Sequence, residues 1–150
     1  MKFLIRTTAA LVFFTLNMPA QETKPPDRPN VEKAANKTVK NVDAAAAKKI
    51  IDEAAAKKDT GVKVLDIRTP DEFKDGHLAG AVNVDFLSKD FAEKVAALDK
   101  DTTWVLHCAS GGRSKKSLGT FQKLGFKSIV HLDGGFNAWH KAGLPVEKTK

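Results

Sequence analysis

The sequence predicts an α/β domain built on a mainly parallel sheet with helices on both faces. Three observations carry this reading. Short runs of apolar and β-branched residues, at 62–67, 82–84, 103–107 and 128–132, alternate along the chain with segments of helical spacing. Glycine-bearing turns punctuate that alternation, among them Gly61, Gly111-Gly112, Gly125 and Gly134-Gly135. The length of 150 residues, 42% of them hydrophobic, suits one domain with a core of ordinary size. Strand–helix–strand units return the chain in the same direction, which gives parallel strands and covers both sheet faces. Ligands of such folds sit at the carboxyl ends of strands.

Residues 1–20 have the pattern of a secretory signal. Lys2 and Arg6 make a positive start, Ala9–Leu16 a short apolar centre, and Ala20 a small residue for cleavage. The apolar run is too short for a membrane span of about 20 residues, so no stable membrane insertion is expected. Residues 21–42 are polar, with Pro25, Pro26 and Pro29 close together, and read as a flexible linker. The folded domain is assigned to 43–150.

Asp43 caps a helix over 44–58, whose apolar face is Ala47, Ile50, Ile51 and Ala54. Residues 62–67 follow as a strand. Thr69-Pro70-Asp71-Glu72 opens a short helix, because threonine caps and proline fits the first turn. A turn over 76–81 leads to a short strand at Val82-Asn83-Val84. Ser88 is expected to cap a helix with Phe91, Val95 and Leu98 at spacings of four and three. After Thr103–His107 and a tight loop, 113–124 is helical, with Leu118, Phe121 and Leu124 on one side and Gly125 as its stop. Ser128–Leu132 is a strand. Gly134-Gly135 turns into a last short helix holding Phe136, Ala138 and Trp139, which ends by Gly143 and Pro145.

The chemistry concentrates in the loop after Thr103–His107. Cys108 opens it, at the carboxyl end of a strand and just before a helix. Gly111 and Gly112 let the backbone curl so that several N–H groups converge on one point, a nest for negative charge. The helix amino end adds partial positive charge. These donors, with Arg113 nearby, favour thiolate over a thiol that is ordinarily protonated at neutral pH. The reading is an activated cysteine nucleophile in an anion cradle. Arg113 is suited to grip a small anion by paired hydrogen bonds. Ser110 and Ser114 offer hydroxyls, and Ser114 reads equally as an ordinary helix-start residue.

Composition limits the alternatives. The net charge is +7; without Lys2 and Arg6 it is +5, from 23 basic and 18 acidic residues. The lysines are scattered without interleaved aromatics, so no nucleic-acid partner is expected. The single cysteine excludes an internal disulfide. His77 and His131 lack the spacing and companions of metal ligands, and no metal or other cofactor is expected. His107 reads as a packed core residue, Asp66 and Arg68 as structural, with Arg68 pairing to Glu72. Lys115 and Lys116 read as a solvated helix face, and Trp104 and Trp139 as core.

Four segments resemble the rhodanese-like (sulfurtransferase) family. They are Leu65–Phe73, Gly76–Val84, the loop Cys108-Ala109-Ser110-Gly111-Gly112-Arg113-Ser114, and Leu132–Trp139 with Gly143-Leu144-Pro145-Val146. The resemblance spans about 43–147. It implies a doubly wound α/β fold around a five-stranded parallel sheet. It also implies that Cys108 takes a sulfane sulfur from a small anionic donor such as thiosulfate. The resulting persulfide would pass its sulfur to cyanide or to a thiol, including one borne by a protein. Ala109, Ser110, Gly111, Gly112 and Arg113 would supply the cradle through their amides.

Two other classes compete. His107-Cys108 followed by Arg113-Ser114 is similar to the signature of cysteine phosphatases and arsenate reductases, but that pattern places five residues between Cys and Arg. Here there are four, and a smaller ring of amides suits a sulfur atom better than a phosphoryl group. A non-catalytic binding module or partner-specific sulfur carrier is the second alternative, and the presence of Cys108 with Arg113 counts against the binding module. The export pattern places the chain in a periplasm or outside the cell after cleavage near Ala20.

Overall fold

A computed structural model of the chain describes residues 38–149. Five strands, β1 (Thr38–Val42), β2 (Val62–Asp66), β3 (Val82–Asn83), β4 (Thr103–His107) and β5 (Ser128–Leu132), form one sheet in the order β1-β5-β4-β2-β3. Every neighbouring pair is parallel. The helices between and after them are α1 (Ala44–Ala56), α2 (Pro70–Asp75), α3 (Phe91–Ala96), α4 (Gly112–Leu124) and α5 (Gly135–Lys141).

Strand side chains alternate between two apolar layers, as a pleated strand requires. Leu65, Trp104, Leu106 and Ile129 pack with Phe91, Val95 and Phe121 from α3 and α4. Val64, Val105, Val130 and Leu132 pack with Ala44, Ala47 and Trp139 from α1 and α5. Both faces of the central strands are therefore buried, which is why they read as continuous apolar runs.

The expected linker is corrected at its end. Residues 38–42 are not linker but β1, paired in register with β5 from Thr38↔Ser128 to Val42↔Leu132. The strand was hidden because it lies at the sheet edge. Lys40 and Asn41 are exposed, and Val42 is its one fully buried side chain. An edge strand with so little to bury carries no strong apolar pattern. The rest of the linker assignment and the whole signal segment, 1–20, lie outside the described residues.

Local signals held where side-chain chemistry made them. Asp43 accepts the Ala46 amide at 2.8 Å. Thr69 and Glu72 form a reciprocal capping box with Pro70 in the first turn. Ser88 is not a helix cap: α3 starts three residues later, and the Ser88 hydroxyl bonds the Asp90 side chain instead. On α4 the buried positions are Ser114, Ser117 and Phe121, while Leu118 and Leu124 are only partly covered.

The turn before α5 positions the loop after β4. The Phe136 amide donates to the Cys108 carbonyl at 2.8 Å, and the Asn137 amide to the Ala109 carbonyl at 2.9 Å. Gly135 has φ +57, and a Cβ there would lie 2.4 Å from the Cys108 carbonyl oxygen. Only glycine permits both that dihedral and that approach. With its first two carbonyls held by α5, the loop is free to turn its later amides toward the cysteine. Gly135→Ala should lower stability by about 2–4 kcal/mol, combining left-handed strain with a backbone clash. Gly119→Ala, mid-helix with nothing within 4 Å of the added Cβ, should be neutral or stabilising by up to about 1 kcal/mol. Urea unfolding of the two variants checks this; equal midpoints would show that the turn does not hold the loop.

Candidate active site

Cys108 is a free thiol at the carboxyl end of β4. Its sulfur receives three hydrogen bonds: from the Gly111 amide at 3.2 Å, the Ser114 amide at 3.4 Å and the Ser114 hydroxyl at 3.5 Å. Gly111, at φ +89, is the left-handed residue that bends the chain into α4 and aims these donors. The residue is only 1% exposed and shares the buried cluster of Leu106 and Phe121. Burial pushes the thiol pKa up. The Ser114 hydroxyl and the amides of Ser114, Gly111 and Ser110 pull it down, and together they hold it below the ordinary value. The small side chains at 109 and 110 do not leave the sulfur open. It is closely covered, and only a slender group can approach it.

The sequence-predicted residues divide by role. Gly111 and Ser114 touch the sulfur. Ser110 acts through its amide, its side chain being exposed. Ala109 gives its carbonyl to α5, and Gly112 begins α4. Arg113 does not present a free fork. It grips Glu72 through two bonds, Nη1–Oε2 at 2.8 Å and Nη2–Oε1 at 2.7 Å. The expected Arg68–Glu72 pair is thus replaced. Arg68 forks instead onto buried Asp66, with Nη2–Oδ2 at 2.6 Å, donates to the Gly76 carbonyl at 2.7 Å, and stacks on Phe136. Two acids and two arginines sort into separate pairs because Asp66 and Arg68 are both buried, and each must be neutralised locally.

His107 is fully buried, and burial holds its imidazole below the ordinary range despite Asp66 Oδ2 at 3.7 Å. His77 stacks on Phe73 and donates to its carbonyl. Trp104 and Trp139 are buried core residues. No group of acids, histidines and cysteine that could hold a metal occurs among the described residues. No helix among them is long and apolar enough to cross a membrane. A cleft of about 350 Å³ opens beside the loop, lined by Arg68, Glu72, Ala109, Phe136, Asn137 and His140.

Three features escaped the sequence reading. One is the Glu72–Arg113 pair, which ties α2 to α4 across the loop. Another is the grip of α5 on the Cys108 and Ala109 carbonyls. The third lies behind the loop: Ser114 Oγ is 2.9 Å from His131 Nε2, and His131 Nδ1 is 2.9 Å from Asn41 Oδ1. The capping spacing of Thr69 and Glu72 was legible. Nothing in the spacing of Glu72 and Arg113, or of Asn41, His131 and Ser114, signals contact.

The Arg113 guanidinium holds the Glu72 carboxyl well below its usual range, at about 2 against 4.5. A depressed acid stabilises the fold above its unfolded pKa and loses that contribution as pH falls through the folded one. The stability gap between wild type and Glu72→Gln should therefore be full above pH 4.5 and close toward about 2. The pair is partly exposed, so the gap should be at most about 1 kcal/mol. Urea midpoints across that pH range measure it, and a gap independent of pH would sever the pair from stability.

Comparison with known proteins agrees with this geometry. The family model of the rhodanese-like domain matches residues 43–142. Thiosulfate sulfurtransferase 16, chloroplastic, of Arabidopsis thaliana is 36% identical over 97 residues, covering 58% of this chain and 81% of that protein. Thiosulfate sulfurtransferase GlpE of Pseudomonas aeruginosa is 34% identical over 88 residues, covering 59% and 78%. The crystal structure of a rhodanese-related protein from Thermoplasma volcanium superposes with a TM-score of 0.61 at 29% identity, covering 72% of this chain and 97% of that one. A parallel five-stranded sheet, a cysteine at the end of its central strand and a match across 43–142 together place this chain in the rhodanese-like domain family.

Proposed function

We propose that the protein is a thiosulfate sulfurtransferase working through a Cys108 persulfide. The observation that carries the reading is the convergence of three hydrogen-bond donors on Cys108 Sγ. The thiolate attacks the outer sulfur of thiosulfate. A new S–S bond forms, the donor's S–S bond breaks, and sulfite leaves with the bonding pair. The persulfide carries the negative charge on its terminal sulfur. Cyanide or a thiolate then attacks that sulfur, and Cys108 leaves as the thiolate it began as. No proton or electron is consumed in the cycle with cyanide. The loop amides stabilise each anionic form in turn.

Arg113 supports this chemistry by placement rather than by gripping the donor. Its fork is occupied by Glu72, so it fixes α2 against the loop and leaves its positive charge near the sulfur. The similarity to relatives named thiosulfate sulfurtransferase supports the choice of donor. The phosphatase alternative needs a general acid. Asp66 is buried and saturated by Arg68, and the Asp71 side chain is 95% exposed. The N-terminal pattern supports export, with the mature chain acting in a periplasm or outside the cell on small anionic sulfur donors and thiol acceptors.

Incubation with thiosulfate should add the mass of one sulfur to the intact protein. Cyanide should then remove it as thiocyanate. Cys108→Ser should take up none. Wild-type protein that stays unmodified under excess thiosulfate, with Cys108 reduced, would overturn the reading in favour of a binding module.

A further inference from the structure

Ser114 has one hydroxyl hydrogen and three acceptors around it. The Gly111 carbonyl lies 3.0 Å from its Oγ, His131 Nε2 2.9 Å and Cys108 Sγ 3.5 Å. Asn41 Oδ1 can only accept, so the proton of neutral His131 sits on Nδ1 and Nε2 presents a lone pair to Ser114. While Cys108 is a thiol, the set is satisfied: S–H donates to Ser114 Oγ, and the hydroxyl donates to His131. When Cys108 ionises, that supply fails. The Gly111 carbonyl keeps the Lys115 amide at 2.9 Å, but a thiolate and an imidazole nitrogen then compete for one hydrogen, in a place where His131 is 2% exposed and Ser114 fully buried. Adding a proton to Nε2 restores the balance, because imidazolium donates from both nitrogens.

We propose that Asn41, His131 and Ser114 form a proton relay that takes up the Cys108 proton. His131 is thus a positioning residue that acts on the thiolate through Ser114. This rests on the reading of Cys108 as the reacting thiolate. In the transfer the Cys108 S–H bond breaks and its electron pair stays on sulfur, while the proton joins Ser114 Oγ. The original Ser114 proton passes to His131 Nε2. The product is a thiolate and an imidazolium bridged by one hydroxyl, with no change in net charge and no oxidant or reductant. Asn41 accepts from Nδ1–H in both states and so holds the ring in place.

Other groups around His131 fit this arrangement. Burial lowers its pKa, the Gly111 backbone and the Asp133 carboxylate raise it, and Lys115 lowers it. Beside a neutral thiol the balance disfavours the charged ring, and a thiolate two hydrogen bonds away is the added charge that favours its protonation. The two groups titrate as a coupled pair.

The test reads His131 directly and needs no sulfur donor. Nitrogen-15 NMR resolves the ring nitrogens, and the chain has only four histidines. With Cys108 reduced and ionised, His131 should show both nitrogens protonated. In Cys108→Ala, and after capping with iodoacetamide, it should revert to the Nδ1–H tautomer. Alkylation rate against pH supplies a second measure. His131→Leu and Ser114→Ala should each move the Cys108 midpoint upward, slowing alkylation below it by about tenfold for a shift of one unit. Ser114→Thr, which keeps the hydroxyl, should restore most of the wild-type profile. A His131 spectrum that does not follow the state of Cys108 overturns the relay, even if persulfide forms. Coupling of His131 to Cys108 without any persulfide would leave the relay standing and sink the sulfurtransferase reading.

Discussion

The constraint on which the site depends is the direction of a few peptide groups. A loop between a buried strand and a helix can turn its amides or its carbonyls toward its first side chain, and only the first choice helps an anion. Here the choice is made from outside the loop. Amides of Phe136 and Asn137 take the carbonyls of Cys108 and Ala109, and Gly135 comes close enough to do so because it has no Cβ. The left-handed Gly111 then turns the chain so that its own amide and that of Ser114 in α4 face the sulfur. The Gly134-Gly135 turn, some 25 residues downstream of the cysteine, is thus as much part of the cradle as the residues that line it.

Charge is organised around that cradle by depth. Asp66 and Arg68 are buried together, and Arg68 also takes the Gly76 carbonyl and the face of Phe136. Removing either partner would strand a charge in a dry place, a far larger penalty than the pair's net contribution. Glu72 and Arg113 sit nearer the surface, at 36% and 23% side-chain exposure. Their pair is bidentate, which fixes geometry more than it adds stability. The inner pair therefore ties the end of β2 to the chain at Gly76, and Asn83 at the end of β3 donates to the Asp66 and Arg68 carbonyls. The outer pair sets the rim of the cleft.

What the sequence disclosed follows the range of the forces involved. The central strands were legible because burial on both faces makes them largely apolar. The caps at Asp43 and Thr69 were legible because their bonds span three residues. Cys108, Gly111 and Ser114 were legible because seven consecutive residues hold them all. β1 was not, since an edge strand with a single fully buried residue looks like the polar segment before it. Arg68 was expected to pair with Glu72, whereas the shorter link to Asp66, two residues away, won through burial. Ser88 looked like a cap from its position alone, but its hydroxyl found Asp90 instead. The Asn41–His131–Ser114 contact joins residues 90 and 17 positions apart, so it exists only once β1, β5 and α4 are assembled.

That assembly bears on why a covered thiol is still acidic. Desolvation raises a buried thiol by as much as several pKa units, and a single amide at more than 3 Å from sulfur does not offset that. The lowering at Cys108 is the sum of several donors, the Ser114 hydroxyl and the amides of Ser114, Gly111 and Ser110. A hydroxyl differs from an amide in that its hydrogen can rotate toward another acceptor. An amide donor is fixed by the fold; this one is shared with His131 and the Gly111 carbonyl. One of the donors that favour the thiolate is therefore not secured by the backbone. A second proton source behind Ser114 is what would keep its hydrogen on the sulfur, and the strand that supplies Asn41 holds that source in place.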